Sequence, residues 1–334
     1  MIASVGYLFP VVVLSAGIVS ALATAALYCH LQRRGVRQGA REDTPQTHQR
    51  KGSVPSMGGL AIMTSVVVVG LFWAYWLGAL GPRLYLVLGA AIAYALVGFT
   101  DDVEKVSSGR STGWRARYKI VIEVLLAALF AVALVSAAGA GVGCSHAMPP
   151  WLWIPFVMFV LVGGANAVNL TDGLDGLAAG LSCIAGLAMA VILALLQDYQ
   201  MSLAAAAVAG AAAGFLWLNA HPARIFMGDI GSLGLGAALS AIAIAAGIEV
   251  LFAIIAAVFV WETLSVIIQV AYFKRTKGKR VFKMSPFHHH LELSGWAEPT
   301  VVIRLWLVGA VCALAAITIA FASVGTAGVR DLFR

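Results

Sequence analysis

The sequence predicts an all-α fold: a polytopic integral membrane protein with about ten transmembrane helices and both termini on the outer side. Three observations predict it. Hydrophobic residues make up 61% of the 334 residues and charged residues 11%, a balance foreign to soluble domains of this size. The apolar residues fall into ten runs, each near the length a bilayer requires. Lys and Arg collect in alternate loops.

The ten runs are approximately 5–29, 57–80, 84–100, 119–139, 151–168, 177–196, 201–219, 231–248, 250–272 and 301–323. The first is too long for a signal-peptide core and has no basic residue before it, so it reads as a retained helix. Small-residue stretches at 204–214 and 231–247 favour close helix packing. Cys29, Cys144, Cys183 and Cys312 share no close spacing, which indicates neither a disulfide framework nor a zinc site. No repeat, low-complexity tract or separate soluble unit interrupts the pattern, so residues 1–334 read as one transmembrane domain.

Placing the first basic loop in the cytoplasm assigns all later loops. Segments 30–56, 101–119, 166–176, 219–230 and 273–300 then face the cytoplasm. Of the 22 Lys and Arg, only Arg83, Arg330 and Arg334 fall outside the inner segments and their flanks. This asymmetry is first a topology signal. It accounts for the net charge of +7 without nucleic acid as a partner, and it also attracts anionic lipid head groups.

The chemistry-bearing residues lie on the same side. Asn166-Ala167-Val168-Asn169-Leu170-Thr171-Asp172-Gly173-Leu174-Asp175-Gly176 separates two apolar runs. Lipid cannot satisfy these polar groups, so they line an interface or a watered cavity. On a helical turn Asp172 and Asp175 would share one face. With no Lys or Arg between them, they invite an outside cation such as Mg²⁺, which takes oxygen ligands and bridges carboxylates to phosphate. The bland alternative is a polar turn between helices.

Asp101-Asp102 opens the second inner loop, directly after the third run. Adjacent carboxylates raise each other's proton affinity unless a cation screens them; the alternative is a solvated helix end. Lys119 opens the next run as a counter-charge or phosphate contact, and Glu123 lies one turn deeper. Asp229, between Gly228 and Gly231 at a helix mouth, either caps that helix or shares a metal with Asp172 or Asp175. Phe226 is near enough to stack on a flat base, although a lone aromatic is more often a packing residue. Lys51 stands just before Gly58-Gly59 and suits either phosphate contact or interfacial snorkelling. His288-His289-His290 point about 100° apart on a helix, which disfavours one metal taking all three and favours phosphate and substrate contacts by one or two of them. No GxxxxGK[ST] loop is present, so nothing indicates ATP-driven work. Acidic and basic residues side by side suit metal-assisted transfer on phosphates.

At these residues the chain resembles a known superfamily, the polyprenyl-phosphate N-acetylhexosamine-1-phosphate transferases. The segments that carry the resemblance are Pro55-Ser56-Met57-Gly58-Gly59, Gly98-Phe99-Thr100-Asp101-Asp102, 166–180 and Phe226-Met227-Gly228-Asp229-Ile230-Gly231-Ser232. Met284-Ser285-Pro286-Phe287-His288-His289-His290, with Glu292 and Gly295-Trp296, is similar to the phospho-N-acetylmuramoyl-pentapeptide branch. The resemblance spans most of the chain, from Asp43 to about Trp306.

That branch implies a bacterial plasma-membrane enzyme with its active site facing the cytoplasm, Mg²⁺ as cofactor, and a homodimer. Its reaction transfers phospho-N-acetylmuramoyl-pentapeptide from UDP-MurNAc-pentapeptide to undecaprenyl phosphate, giving lipid I and UMP for peptidoglycan synthesis. By position, the resemblance makes Asp101, Asp102, Asp229 and His289 catalytic. Asp229 and Asp172 become metal ligands. Lys51, Lys119, Asn169, Asp175, His288 and His290 become substrate contacts, with Asn219 and Phe226 tied to the uridine. The chain departs from the family pattern at Ser53-Val54-Pro55-Ser56, where Val54 lacks a hydroxyl, and at Asp43-Thr44-Pro45. Two other readings use the same residues. One is a GlcNAc-1-phosphate transferase, against which the His segment argues. The other is an ion-coupled transporter, which would need ionisable residues near the bilayer midplane; only Glu123 and Glu262 fall inside spans, and the other carboxylates gather at one face.

Overall fold

The computed structural model describes residues 8–34, 54–108, 113–138 and 149–332. These residues form helices α1 (Phe9–Arg33), α2 (Gly59–Trp76), α3 (Pro82–Ser108), α4 (Ala116–Ala138), α5 (Pro150–Thr171) and α6 (Leu177–Leu195). They continue as α7 (Tyr199–Asn219), α8 (Gly228–Ala246), α9 (Glu249–Ile255), α10 (Ala257–Arg275), α11 (Phe287–Glu292) and α12 (Glu298–Leu332). Ten of them are long and apolar enough to cross a membrane. The chain is therefore all-helical with about ten spans.

Each helix starts and stops for local reasons. Pro10 lies in the first turn of α1 and Pro150 opens α5, where a missing N–H costs nothing. Asp198 caps α7 by accepting from Met201 N at 3.3 Å. Gly247, left-handed at φ 72°, ends α8, a conformation cheap only for glycine.

Helix α8 is the axis of the bundle and is buried along almost its whole length. Helices α3 and α5 pack against it, while α1, α2 and α6 pack on α7. Close approach comes from small residues: a Cβ on Gly214 would overlap the Gly17 carbonyl. Interhelical hydrogen bonds reinforce the contact, from Ser20 Oγ to Ala211 O at 2.7 Å and from Ser65 Oγ to Ala16 O at 2.8 Å. The outer helices expose apolar side chains, among them Leu14, Ile18 and Leu22 on α1 and Leu307, Val311 and Leu314 on α12. Lipid solvates such faces; water would not.

Two boundaries correct the sequence reading. Asp101 and Asp102 do not open a loop: α3 continues through them to Ser108. An ion pair one turn long, Asp101 to Lys105 at 2.7 Å, lets the helix outlast its apolar stretch. The run expected at 250–272 is two helices, α9 and α10, which meet at Ala256.

Candidate active site

The ends of α3 and α5 meet the starts of α4 and α8. Backbone pairing fixes this junction: Gly58 N donates to Phe226 O at 2.9 Å, Gly59 N to Met227 O at 2.8 Å and Phe226 N to Pro55 O at 2.9 Å. The start of α2 is thereby tied to the start of α8. Glycines are required there. A Cβ on Gly98 would overlap the Asp229 carbonyl, and Gly228 combines φ 70° with direct approach to the Asp102 carboxylate.

Asp101, Asp102 and Asp229 converge at this junction, with one carboxylate oxygen from each lying within 4.8 Å of the others. Two lysines stand among them. Lys105 Nζ lies 2.7 Å from Asp101, 3.5 Å from Asp102 and 3.1 Å from Asp229. Lys119 Nζ lies 2.5 Å from the same Asp229 oxygen. Asn169 Nδ2 donates to the other Asp229 oxygen at 3.1 Å and to Ser232 Oγ at 2.8 Å. Trp114 N donates to Asp101 at 2.7 Å and Ile230 N to Asp102 at 3.2 Å. Three carboxylates against two ammonium groups leave one negative charge over when all are ionised. Asp102 Oδ1 is buried with no hydrogen-bond partner among the described residues, the Lys105 ammonium standing 3.5 Å away. Clustered hard oxygens, excess negative charge and an undersatisfied carboxylate oxygen together fit a divalent cation such as Mg²⁺.

One turn deeper, Glu123 is fully buried on α4 and accepts from Asn166 Nδ2 on α5. Tyr94 Oη donates to the Glu123 carbonyl at 2.7 Å. This tier props up the Lys119 and Asn169 tier above it.

Asp175 belongs to a different group. The chain leaves the helix at Asp172, and Gly176 is left-handed at φ 79°, so Asp172 and Asp175 occupy a turn and not one helical face. Asp175 Oδ2 accepts from Ala223 N at 3.0 Å and faces His221 Nδ1 at 3.1 Å, while Asp175 N donates to Glu298 Oε1 at 2.8 Å. Asp175, His221 and Glu298 form a second cluster of metal-ligand type. Asp172, expected to share a metal with Asp229, is in neither of these two clusters.

The three histidines of α11 diverge, as their spacing demands. His288 is fully buried with Nδ1 3.1 Å from Glu262 Oε2. His289 Nδ1 lies 2.8 Å from Glu292 Oε2. His290 Nδ1 accepts from Lys283 N at 3.1 Å, and its ring packs on Phe282 and Phe287.

Among the other expected residues, Asn219 has both ends of its amide engaged: it accepts from Gly176 N at 3.1 Å and donates to Ile225 O at 2.9 Å. It braces the loop beside half-buried Phe226. Lys51 and the 43–53 motif lie outside the described residues. Sequence reasoning missed Lys105, His221 and Glu298 as members of these clusters. Lys105 had a usable signal, since it follows Asp101 by four and Asp102 by three residues.

A glycosyl transferase family 4 model matches residues 84–247, the stretch that carries both carboxylate clusters except Glu298. Three similar proteins are each named phospho-N-acetylmuramoyl-pentapeptide-transferase. The one from Halalkalibacterium halodurans is 45% identical, covering 86% of this chain and 90% of the relative. The one from Bacillus subtilis is 42% identical, covering 90% and 94%. The one from Desulfotalea psychrophila is 42% identical, covering 86% and 85%. The chain belongs to the phospho-N-acetylmuramoyl-pentapeptide transferase family.

Proposed function

We propose that the chain transfers phospho-N-acetylmuramoyl-pentapeptide from UDP-MurNAc-pentapeptide to undecaprenyl phosphate, forming lipid I and UMP. An oxygen of the lipid phosphate attacks the sugar-linked phosphorus, and the bond from that phosphorus to the bridging oxygen breaks. UMP leaves with the electron pair. One pyrophosphate bond replaces another, which agrees with the missing ATP motif.

The observation that carries the reading is the Asp101–Asp102–Asp229 cluster with Lys105 and Lys119 at a membrane-helix end. Asp229, with Asp101 and Asp102 beside it, would hold Mg²⁺, which when bound screens the phosphate charges. Lys119 and Lys105 neutralise phosphate oxygens as negative charge shifts to the leaving group. Asp101 orients the lipid phosphate and Asn169 steadies Asp229. Lys51 and His289 contact the pyrophosphate side. Asp175, Asn219 and Phe226 shape the nucleoside side, with Asn219 acting through the loop it braces. Direct attack is favoured, because a screened lipid phosphate is already a competent nucleophile.

The positive-inside distribution supports a cytoplasmic site, outer termini and residence in the bacterial plasma membrane. The catalytic segments are those at 30–56, 101–119, 166–176, 219–230 and 273–300. A homodimer belongs to the same reading.

The test is a transfer assay on purified protein with labelled UDP-MurNAc-pentapeptide, undecaprenyl phosphate, and Mg²⁺ or EDTA. Label moving into the lipid phase with Mg²⁺ and not with EDTA is the expected result. Turnover of UDP-GlcNAc in its place would move the chain to the neighbouring branch. No lipid product with either donor would reject the reading.

A further inference from the structure

Glu262 is a second carboxylate buried inside a span, and the proposed reaction leaves it without a task. It sits on α10 and is fully buried, as is His288 on α11. His288 Nδ1 lies 3.1 Å from Glu262 Oε2, and the His288 backbone N–H donates to that same oxygen at 3.2 Å. That oxygen already accepts from the backbone N–H, so the geometry favours a proton on Nδ1 that donates to it as well.

The other ring nitrogen, Nε2, is buried with no hydrogen-bond partner among the described residues. It stands against the turn between α5 and α6: a Cβ on Gly173 would overlap the His288 ring, with Nε2 the nearest atom. Gly173 follows Asp172 and precedes Asp175 by two residues. The His289 ring, centred 4.2 Å from that of His288, blocks one side. A buried polar atom left unpaired costs about 1–3 kcal/mol, and a catalytic role or a bound water is among the reasons a fold keeps one.

We propose that Glu262 is a positioning residue: its carboxylate fixes His288 as the Nδ1–H tautomer and holds an unprotonated Nε2 against the turn that carries Asp172 and Asp175. In that state Nε2 accepts a hydrogen bond. Its partner is an O–H or N–H of the bound nucleotide-sugar or of a water, not a phosphate oxygen, which has no proton to give. This sets His288 apart from the lysines, which serve the phosphates.

The test uses the full chain in detergent at pH 8, labelled with ¹⁵N-histidine. The His288 signals are assigned by difference from His288→Asn. Wild type should show a protonated Nδ1 and a bare Nε2. Glu262→Gln should keep that pattern, because one amide oxygen can accept from both donors. Glu262→Ala should lose it. In the transfer assay Glu262→Ala should lower kcat by about 10–100-fold, the loss typical of a partner that orients a functional histidine, with KM within about twofold. Glu262→Gln should recover most of that loss.

A proton on Nε2 in wild type, or unchanged nitrogen shifts in Glu262→Ala, would overturn the proposal. So would equal loss of activity in the Gln and Ala variants. If Glu262→Ala fails to fold, the wild-type and Gln spectra still decide. Only the kinetic arm rests on the transfer reading; an inactive wild type would sink that reading and leave the nitrogen spectra to judge this one.

Discussion

Asp229 and Asp175 are both aspartates at membrane-helix ends with little exposed surface, yet their partners differ in kind. Asp229 faces two ammonium groups and two other carboxylates. Asp175 takes a backbone N–H and a half-exposed imidazole, and its own N–H is held by Glu298. Backbone donors are neutral and fixed, so they use a carboxylate to set the path of a loop. Lysine ammonium groups are charged and sit on flexible stems, so they can trade one anion for another. The first arrangement suits binding a cation and phosphates; the second suits shaping the walls around them.

Variants can break or sharpen this contrast. The largest effect is expected for Asp229→Asn, which keeps the shape and removes the charge. Transfer should fall by about 10²–10³-fold or more, on the scale of losing one electrostatic stabiliser, as read by initial rates. Next is Lys105→Met. Lys105 is buried among three carboxylates, so its loss should destabilise the protein by about 3–5 kcal/mol, the usual cost of orphaning buried charge. Thermal unfolding should show it, and added Mg²⁺ should restore part of the loss because the ion binds the folded state. Gly228→Ala should cost about 1–3 kcal/mol for the left-handed backbone and should also press on Asp102; the same unfolding assay reads it. The smallest effect is expected for His221→Asn. Its side chain is 42% exposed beside Asp175, so the stability change should stay within about 1 kcal/mol.

The contrast between the two aspartates is also where the sequence stops being legible. Hydropathy located ten spans, because lipid demands long apolar runs whatever the packing. It ended the third run at the first carboxylate, although α3 continues to Ser108; the Asp101–Lys105 pair that extends it counts as polarity in any hydropathy sum. Lys105 thus vanished into a charge run. Asp172 and Asp175 looked equivalent by spacing, but the left-handed Gly176 and the hydrogen bond from Asp175 N to Glu298 separate them. Glu298 is 123 residues away, and no local pattern reports such a partner. Glu262 was visible inside a span, but its pairing with His288 depends on how α11 folds back onto α10.

The most direct test of the central claim puts both aspartate neighbourhoods into one experiment. Wild type, Asp229→Asn and His221→Asn would be assayed for transfer of labelled phospho-MurNAc-pentapeptide into lipid, and for Mn²⁺ binding by electron paramagnetic resonance without substrate. The account predicts that Asp229→Asn loses both transfer and high-affinity Mn²⁺, while His221→Asn keeps both within about threefold, as expected for a change outside the catalytic cluster. Loss of Mn²⁺ binding in His221→Asn with retention in Asp229→Asn would contradict it and move the metal to the Asp175 group.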